Sequence, residues 1–143
     1  MTGVQTCALP IYNGASQAPA ACVVTGTFTT GVTCTNSPVS VGPGVGGAAV
    51  TPTVVGANAN FTVTSVNGAW SITARPVTVT AGSYSGAYNG VSASPAACLV
   101  TGGFVGVTCT NSPASVGPGV GSGVITPVFS DTTNFAVTPV NGT

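Results

Sequence analysis

The sequence predicts an all-β protein made of tandem repeats, each folded as a small β-sandwich. Valine, threonine, glycine, serine and proline are abundant among the 143 residues, and this balance is typical of strands joined by many turns. Several segments alternate apolar and polar side chains with a period of two, as half-buried strands do. No segment combines a 3.6-residue period with helix caps, so we expect no substantial helix.

An internal repeat spans nearly the whole chain and is its strongest signal. YNGASQAPAACVVTGTFTTGVTC begins at Tyr12, and YNGVSASPAACLVTGGFVGVTC begins 76 residues later, at Tyr88. We predict a first repeat over residues 12–74 and a second over residues 75–143, joined in a row. The first copy lacks the N-terminal part of a repeat unit and the second lacks the C-terminal part, as expected for a fragment of a longer array.

The clearest strand pair is predicted in FTVTSVNGAWSIT, which begins at Phe61. Asn67-Gly68 is the preferred two-residue type I′ turn, because both positions need φ above zero. A hairpin closed by this turn places the apolar residues of its two arms on one face. The second copy repeats the turn sequence as Asn141-Gly142.

Five motifs in a fixed order resemble the MBG and YDG repeat families, glycine-rich and mostly-β modules of large bacterial surface proteins. They lie at Pro76–Ala81, Tyr88–Gly90, Ser115–Val120, Asn134–Val137 and Ser71–Ala74. The Tyr-Asn-Gly motif occurs twice, as Tyr12, Asn13, Gly14 and as Tyr88, Asn89, Gly90. The resemblance implies a secreted, multi-repeat, adhesin-like parent protein and no activity. Two cysteines per unit and the near absence of charge depart from the usual family pattern.

The first eleven residues, MTGVQTCALPI, match neither copy of the repeat. They lack the basic and apolar regions of a signal peptide. They resemble the conceptual translation of a short-read sequencing adapter, with a GTG codon read as Met1. We interpret residues 1–11 as an artefact outside the fold, and the alternative is a natural N-terminal tail.

Discounting Cys7 leaves two equivalent cysteine pairs, Cys22 with Cys34 and Cys98 with Cys109. Each unit offers two thiolates and no histidine, which is fewer ligands than a metal site needs. A redox centre more typically has the spacing C-x-x-C. We therefore expect no metal and no cofactor, and we predict a disulfide within each repeat. Disulfides imply an oxidising compartment, so we expect an extracellular or cell-surface location.

Charge is almost absent, since Arg75 is the only basic residue and Asp131 the only acidic one. A nucleic-acid or anionic-membrane partner needs a basic patch, and one arginine does not make one. No apolar run approaches the ~20 residues of a membrane-spanning helix. General acid–base catalysis needs a group that titrates near the working pH, and the chain has no His, Glu or Lys. We therefore expect that the protein is not an enzyme.

Two functions remain open from the sequence. The favoured expectation is a structural spacer of immunoglobulin-like repeats whose partners are the neighbouring repeats of the same chain. The alternative is an adhesion module that binds an extracellular glycan or protein, with Trp70, Tyr84 and the tyrosines of the Tyr-Asn-Gly motifs stacking on a sugar ring. A β-grasp-like topology is also open, although no helix signal supports it.

Overall fold

The computed structural model describes residues 10–103, 106–130 and 132–143. Within these ranges the regular elements are eight strands and no helix, which confirms the all-β prediction. The strands are β1 (Thr33–Ser37), β2 (Gly46–Val55), β3 (Gly68–Ile72), β4 (Arg75–Thr80), β5 (Leu99–Thr101), β6 (Cys109–Ser112), β7 (Thr126–Phe129) and β8 (Phe135–Val140). The chain divides into two compact units. Unit 1 ends at Thr73, and unit 2 extends from Ala74 to Thr143.

In unit 1, β2 is the centre of a three-stranded antiparallel sheet with the order β1-β2-β3. Its second half pairs with β1, where Cys34 lies opposite Val54. Its first half pairs with β3, where Ala48 lies opposite Trp70. The ten residues of β2 therefore take part in two consecutive ladders, one with each neighbouring strand. In the described part of this unit, residues 10–73, the buried apolar side chains are Val41, Val50 and Ile72.

Unit 2 contains a three-stranded sheet with the order β5-β4-β8 and a separate β6–β7 pair. β4 is antiparallel to β5 and parallel to β8. Val77 and Val79 of β4 are buried, whereas Thr78 and Thr80 are half-buried, as the period of two predicts. Among the described residues outside β4, the buried apolar side chains of unit 2 are Ala81, Val107, Ile125 and Phe135, together with the prolines Pro95 and Pro127.

The β6–β7 ladder of unit 2 reproduces part of the β1–β2 ladder of unit 1 in the same register. Cys109 lies opposite Phe129, and 75 residues earlier Cys34 lies opposite Val54. Cis X-Pro bonds also occur at equivalent positions, at Ser37-Pro38, Gly42-Pro43, Ser112-Pro113 and Gly117-Pro118. The two copies of the sequence therefore adopt the same local structure in this region.

The predicted hairpin at Asn67-Gly68 is wrong. Residues 61–67 form no strand, and Gly68 begins β3, where it lies opposite Val50 of β2. At the second predicted turn, Asn141-Gly142, Gly142 makes the equivalent antiparallel bridge to Ile125. A turn preference is local and small, whereas pairing with β2 gives β3 a five-residue ladder and buries the side chain of Ile72.

The interpretation of residues 1–11 as lying outside the fold is wrong at the end of that segment. Ile11 forms a parallel bridge with Thr73, and Thr73 donates its N–H to the carbonyl oxygen of Pro10 at 3.0 Å. Backbone groups can extend a strand edge whatever side chains they carry, so the sequence of this segment does not exclude such pairing. Residues 1–9, which include Cys7, and Asp131 lie outside the described residues.

Candidate functional site

Each unit is closed by the disulfide that we predicted. Cys22 is bonded to Cys34, and Cys98 is bonded to Cys109, with Cα–Cα distances of 5.8 and 5.7 Å. In unit 2, Cys98 directly precedes β5 and Cys109 begins β6, so the bond joins the three-stranded sheet to the β6–β7 pair. Disulfides form and persist in oxidising compartments. This chemistry favours such an environment for the chain.

An asparagine side chain supports each disulfide, and neither asparagine is among the predicted site residues. Asn36 donates from Nδ2 to the carbonyl oxygen of Ala20 at 2.6 Å, and Asn111 donates to that of Ala96 at 2.7 Å. Each asparagine follows the second cysteine by two residues, and each acceptor precedes the first cysteine by two. The hydrogen bond and the disulfide therefore join the same two segments. The only sequence signal of this role is that both copies share the segment CTNSP, which contains the second cysteine and the asparagine.

Asn111 makes one bond more than Asn36, because its Oδ1 accepts the part-buried N–H of Gly82 at 2.9 Å. We expect Asn111→Ala to lower the free energy of unfolding by about 1.5 kcal/mol, since both hydrogen bonds are lost. Asn36→Ala is the matched control and should cost about half as much. Urea unfolding followed by far-UV circular dichroism measures both. Equal losses in the two variants would contradict the structural role given to the Gly82 bond.

The Tyr-Asn-Gly motif is a turn in both copies. Asn13 and Asn89 each accept at Oδ1 a hydrogen bond from the backbone N–H two residues later, at 3.0 and 3.1 Å. Gly14 and Gly90 follow with φ of 76° and 77°, the left-handed conformation that glycine adopts without a Cβ penalty. This asparagine-closed turn accounts for two of the three residues in the motif.

The tyrosines of the motif differ between the copies. Tyr12 is half-buried, whereas Tyr88 is 70% exposed, and Tyr84, four residues before Tyr88, is 40% exposed. Both exposed tyrosines line an open groove of about 780 Å³ in unit 2, whose other lining residues include the segment 116–125 and Thr143. We call this cavity the unit 2 groove. Its lining carries no charged side chain.

The ionisable groups do not gather into a site in the described part of the chain. Arg75 donates from Nε and Nη2 to the carbonyl oxygen of Gly102, at 3.4 Å in each case. No group of three or more His, Cys, Asp or Glu side chains within the described ranges is placed to hold a metal ion. None of the described residues form a helix that is long and apolar enough to span a membrane.

Comparison of the chain with protein-family models, with curated protein sequences and with solved structures finds no match in any of the three.

Proposed function

We propose that the chain is a pair of structural spacer repeats from a large secreted or cell-surface bacterial protein of the MBG/YDG kind. One observation carries this proposal: both copies place a disulfide and an asparagine hydrogen bond between the same two segments. What the two units share is thus a set of cross-links that stabilise the fold. A module selected to persist under stress outside the cell needs such cross-links more than it needs reactive groups.

We further propose that each unit belongs to a small immunoglobulin-like β-sandwich. In unit 2 the Cys98–Cys109 bond links two separate sheets, and an inter-sheet disulfide is a hallmark of immunoglobulin domains. The parallel pairing of β4 with β8 departs from a purely antiparallel sandwich. Burial of Val79, Phe135 and Ile125 gives this unit an apolar core of the kind a sandwich needs.

Force spectroscopy on the intact chain tests the spacer function. A disulfide prevents the residues between its two cysteines from being extended by force. The sequence separations of the two bonded pairs are 12 and 11 residues. We expect discrete unfolding events under oxidising conditions, and reduction should lengthen each event by about 35 Å, which is the extended length of these residues less the distance that the bonded cysteines already span. The variant with all four of these cysteines changed to alanine should show the longer events under both conditions. A chain that extends without discrete events would contradict the proposal.

Exposed aromatic side chains favour a second candidate function, binding of a glycan. Tyr84 and Tyr88 both line the unit 2 groove, and exposed tyrosine rings are suited to stacking on a sugar ring. Screening against immobilised glycans tests this alternative. Binding that Tyr88→Ala abolishes and Val128→Ala leaves unchanged would replace the spacer proposal, because Val128 is exposed outside the groove.

A further inference from the structure

The outer faces of the β1–β2 and β6–β7 ladders carry the same kind of exposed side chains. Because side chains alternate along a strand, every second residue of each ladder belongs to this face. In unit 1 the face consists of six exposed residues, Thr33, Thr35, Ser37, Thr51, Thr53 and Val55. In unit 2 it consists of six more exposed residues, Thr108, Thr110, Ser112, Thr126, Val128 and Ser130. Each set has five hydroxyl groups and one valine, and we call it a hydroxyl face.

Each hydroxyl face is a small, regular array of three rows with two side chains in a row. In unit 1 the middle row is Thr35 beside Thr53, which lie directly opposite each other in the ladder. In unit 2 the middle row is Thr110 beside Val128, which are likewise direct partners. Neighbouring strands lie about 4.8 Å apart, and side chains on one face recur about every 6.8 Å along a strand. The array therefore repeats at two fixed spacings in roughly perpendicular directions.

Hydrogen bonds within each ladder hold several of these side chains in place. Thr51 donates from Oγ1 to the carbonyl oxygen of Ser37 at 3.1 Å, and the equivalent bond in unit 2 is 3.2 Å long. The hydroxyl groups of Thr108 and Ser130 are hydrogen-bonded across the two strands at 2.9 Å. Threonine and valine are also branched at Cβ, which restricts rotation about χ1. A rigid array of this kind loses little conformational entropy when it binds a rigid surface.

The composition of the hydroxyl faces narrows the class of surface that they fit. Soluble domains usually have about a quarter of their residues charged, whereas all positions of both faces are uncharged. The faces contain no aromatic ring to stack on a sugar, and they lack the large apolar side chains that insert into a lipid bilayer. Threonine offers a hydroxyl group beside a methyl group. This chemistry fits an uncharged, ordered lattice of hydrogen-bonding groups.

We propose that the hydroxyl faces bind ice. The oxygen atoms on a prism face of ice form a rectangular array whose two spacings are close to those of the side chains. Hydroxyl groups of threonine and serine would take the positions of water molecules in this lattice. Methyl groups of threonine and valine would lie in the hollows between those positions. Ice binding goes beyond the spacer function and does not depend on it.

The test grows a seeded ice crystal slowly from a dilute solution of the oxidised full-length chain. Growing ice excludes solutes that do not bind to it, so a protein that enters the ice has bound to its surface. Amino-acid analysis of the melted crystal and of the remaining liquid should show the chain enriched in the ice relative to an inert globular protein in the same solution. Exclusion of the chain to the same extent as the inert protein would overturn the proposal.

Charge in the middle row of each hydroxyl face should abolish the enrichment in ice. Thr35→Lys combined with Thr110→Lys places one ammonium group there in each unit, and an ammonium group keeps its own hydration shell. Thr64→Lys combined with Thr138→Lys is the matched control, because these exposed threonines occupy equivalent repeat positions outside both faces. The control should remain enriched. Equal enrichment of the two double variants, or equal loss in both, would overturn the proposal.

A second double variant and two further binding measurements complete the test. Thr53→Lys combined with Val128→Lys brings charge into the same rows from the partner strands and should also lose the enrichment. Far-UV circular dichroism should show that every variant folds. Retention of the wild-type chain by crystalline cellulose, lost in both face variants, would overturn the proposal in favour of a polysaccharide. Concentration-dependent dimerisation with the same dependence would overturn it in favour of a second copy of the chain.

Discussion

Replacing Phe135 with alanine is expected to lower the free energy of unfolding of unit 2 by about 3 kcal/mol. The Phe135 side chain is only 3% exposed at the start of β8, directly opposite Arg75 of β4 in the parallel pair. Truncation removes the apolar area that this ring buries and leaves a cavity beside the central strand of the sheet. Hydrogen exchange of the β4 amides under increasing urea measures the loss.

The first copy of the repeat supplies the matched control for this prediction. Phe61 occupies the position of Phe135 in unit 1, where it is half-buried and lies outside any strand. Phe61→Ala should therefore cost less than half as much as Phe135→Ala, although the two residues have the same place in the repeat. Equal costs would show that pairing with β4 is not what buries Phe135.

Removing the disulfide of unit 1 is the second change with a large expected effect. In the chain-entropy model, a loop with the cysteine separation of 12 contributes about 3 kcal/mol, so Cys22→Ala with Cys34→Ala should lose most of this. Trp70 is the only tryptophan of the chain and lies in β3. Its fluorescence during urea unfolding therefore reports on unit 1.

A substitution within the same loop is the control for the disulfide. Phe28 lies between the two cysteines and is 80% exposed, so Phe28→Ala should change stability by less than about 0.5 kcal/mol. Reduction of the wild-type protein should reproduce the loss seen in the double variant. A Trp70 transition that neither reduction nor the double substitution shifts would show that the bond does not stabilise the folded unit.

Features encoded over short distances in the sequence were predicted well. Alternation with a period of two predicted half-buried strands, and β4, with the sequence RPVTVT, is such a strand, since it buries Val77 and Val79. The cysteine spacing, once Cys7 was discounted, predicted the two disulfides that the structure forms. These features depend on residues near each other in the chain, so a repeated pattern is enough to reveal them.

The roles of particular polar side chains could not be predicted in the same way. Asn36 and Asn111 stand in an ordinary strand sequence, and their importance comes from acceptors 16 and 15 residues away. In contrast, the asparagine of Tyr-Asn-Gly acts on a backbone group two residues later. Its turn is a local property that the asparagine-glycine sequence is suited to form.

The sequence by itself determined the strand-rich composition, the repeat and the cysteine pairs, because each follows from local pattern and spacing. Only the tertiary structure decided which strands pair: β3 joins β2 across a 12-residue connection, and β4 joins β8 in parallel although 54 residues separate them. Each strand offers the same backbone hydrogen bonds to many partners. Within each unit, the choice among them depends on which pairing buries the apolar side chains, Ile72 in unit 1 and Val79 and Phe135 in unit 2. Burial of this kind is a property of the folded chain.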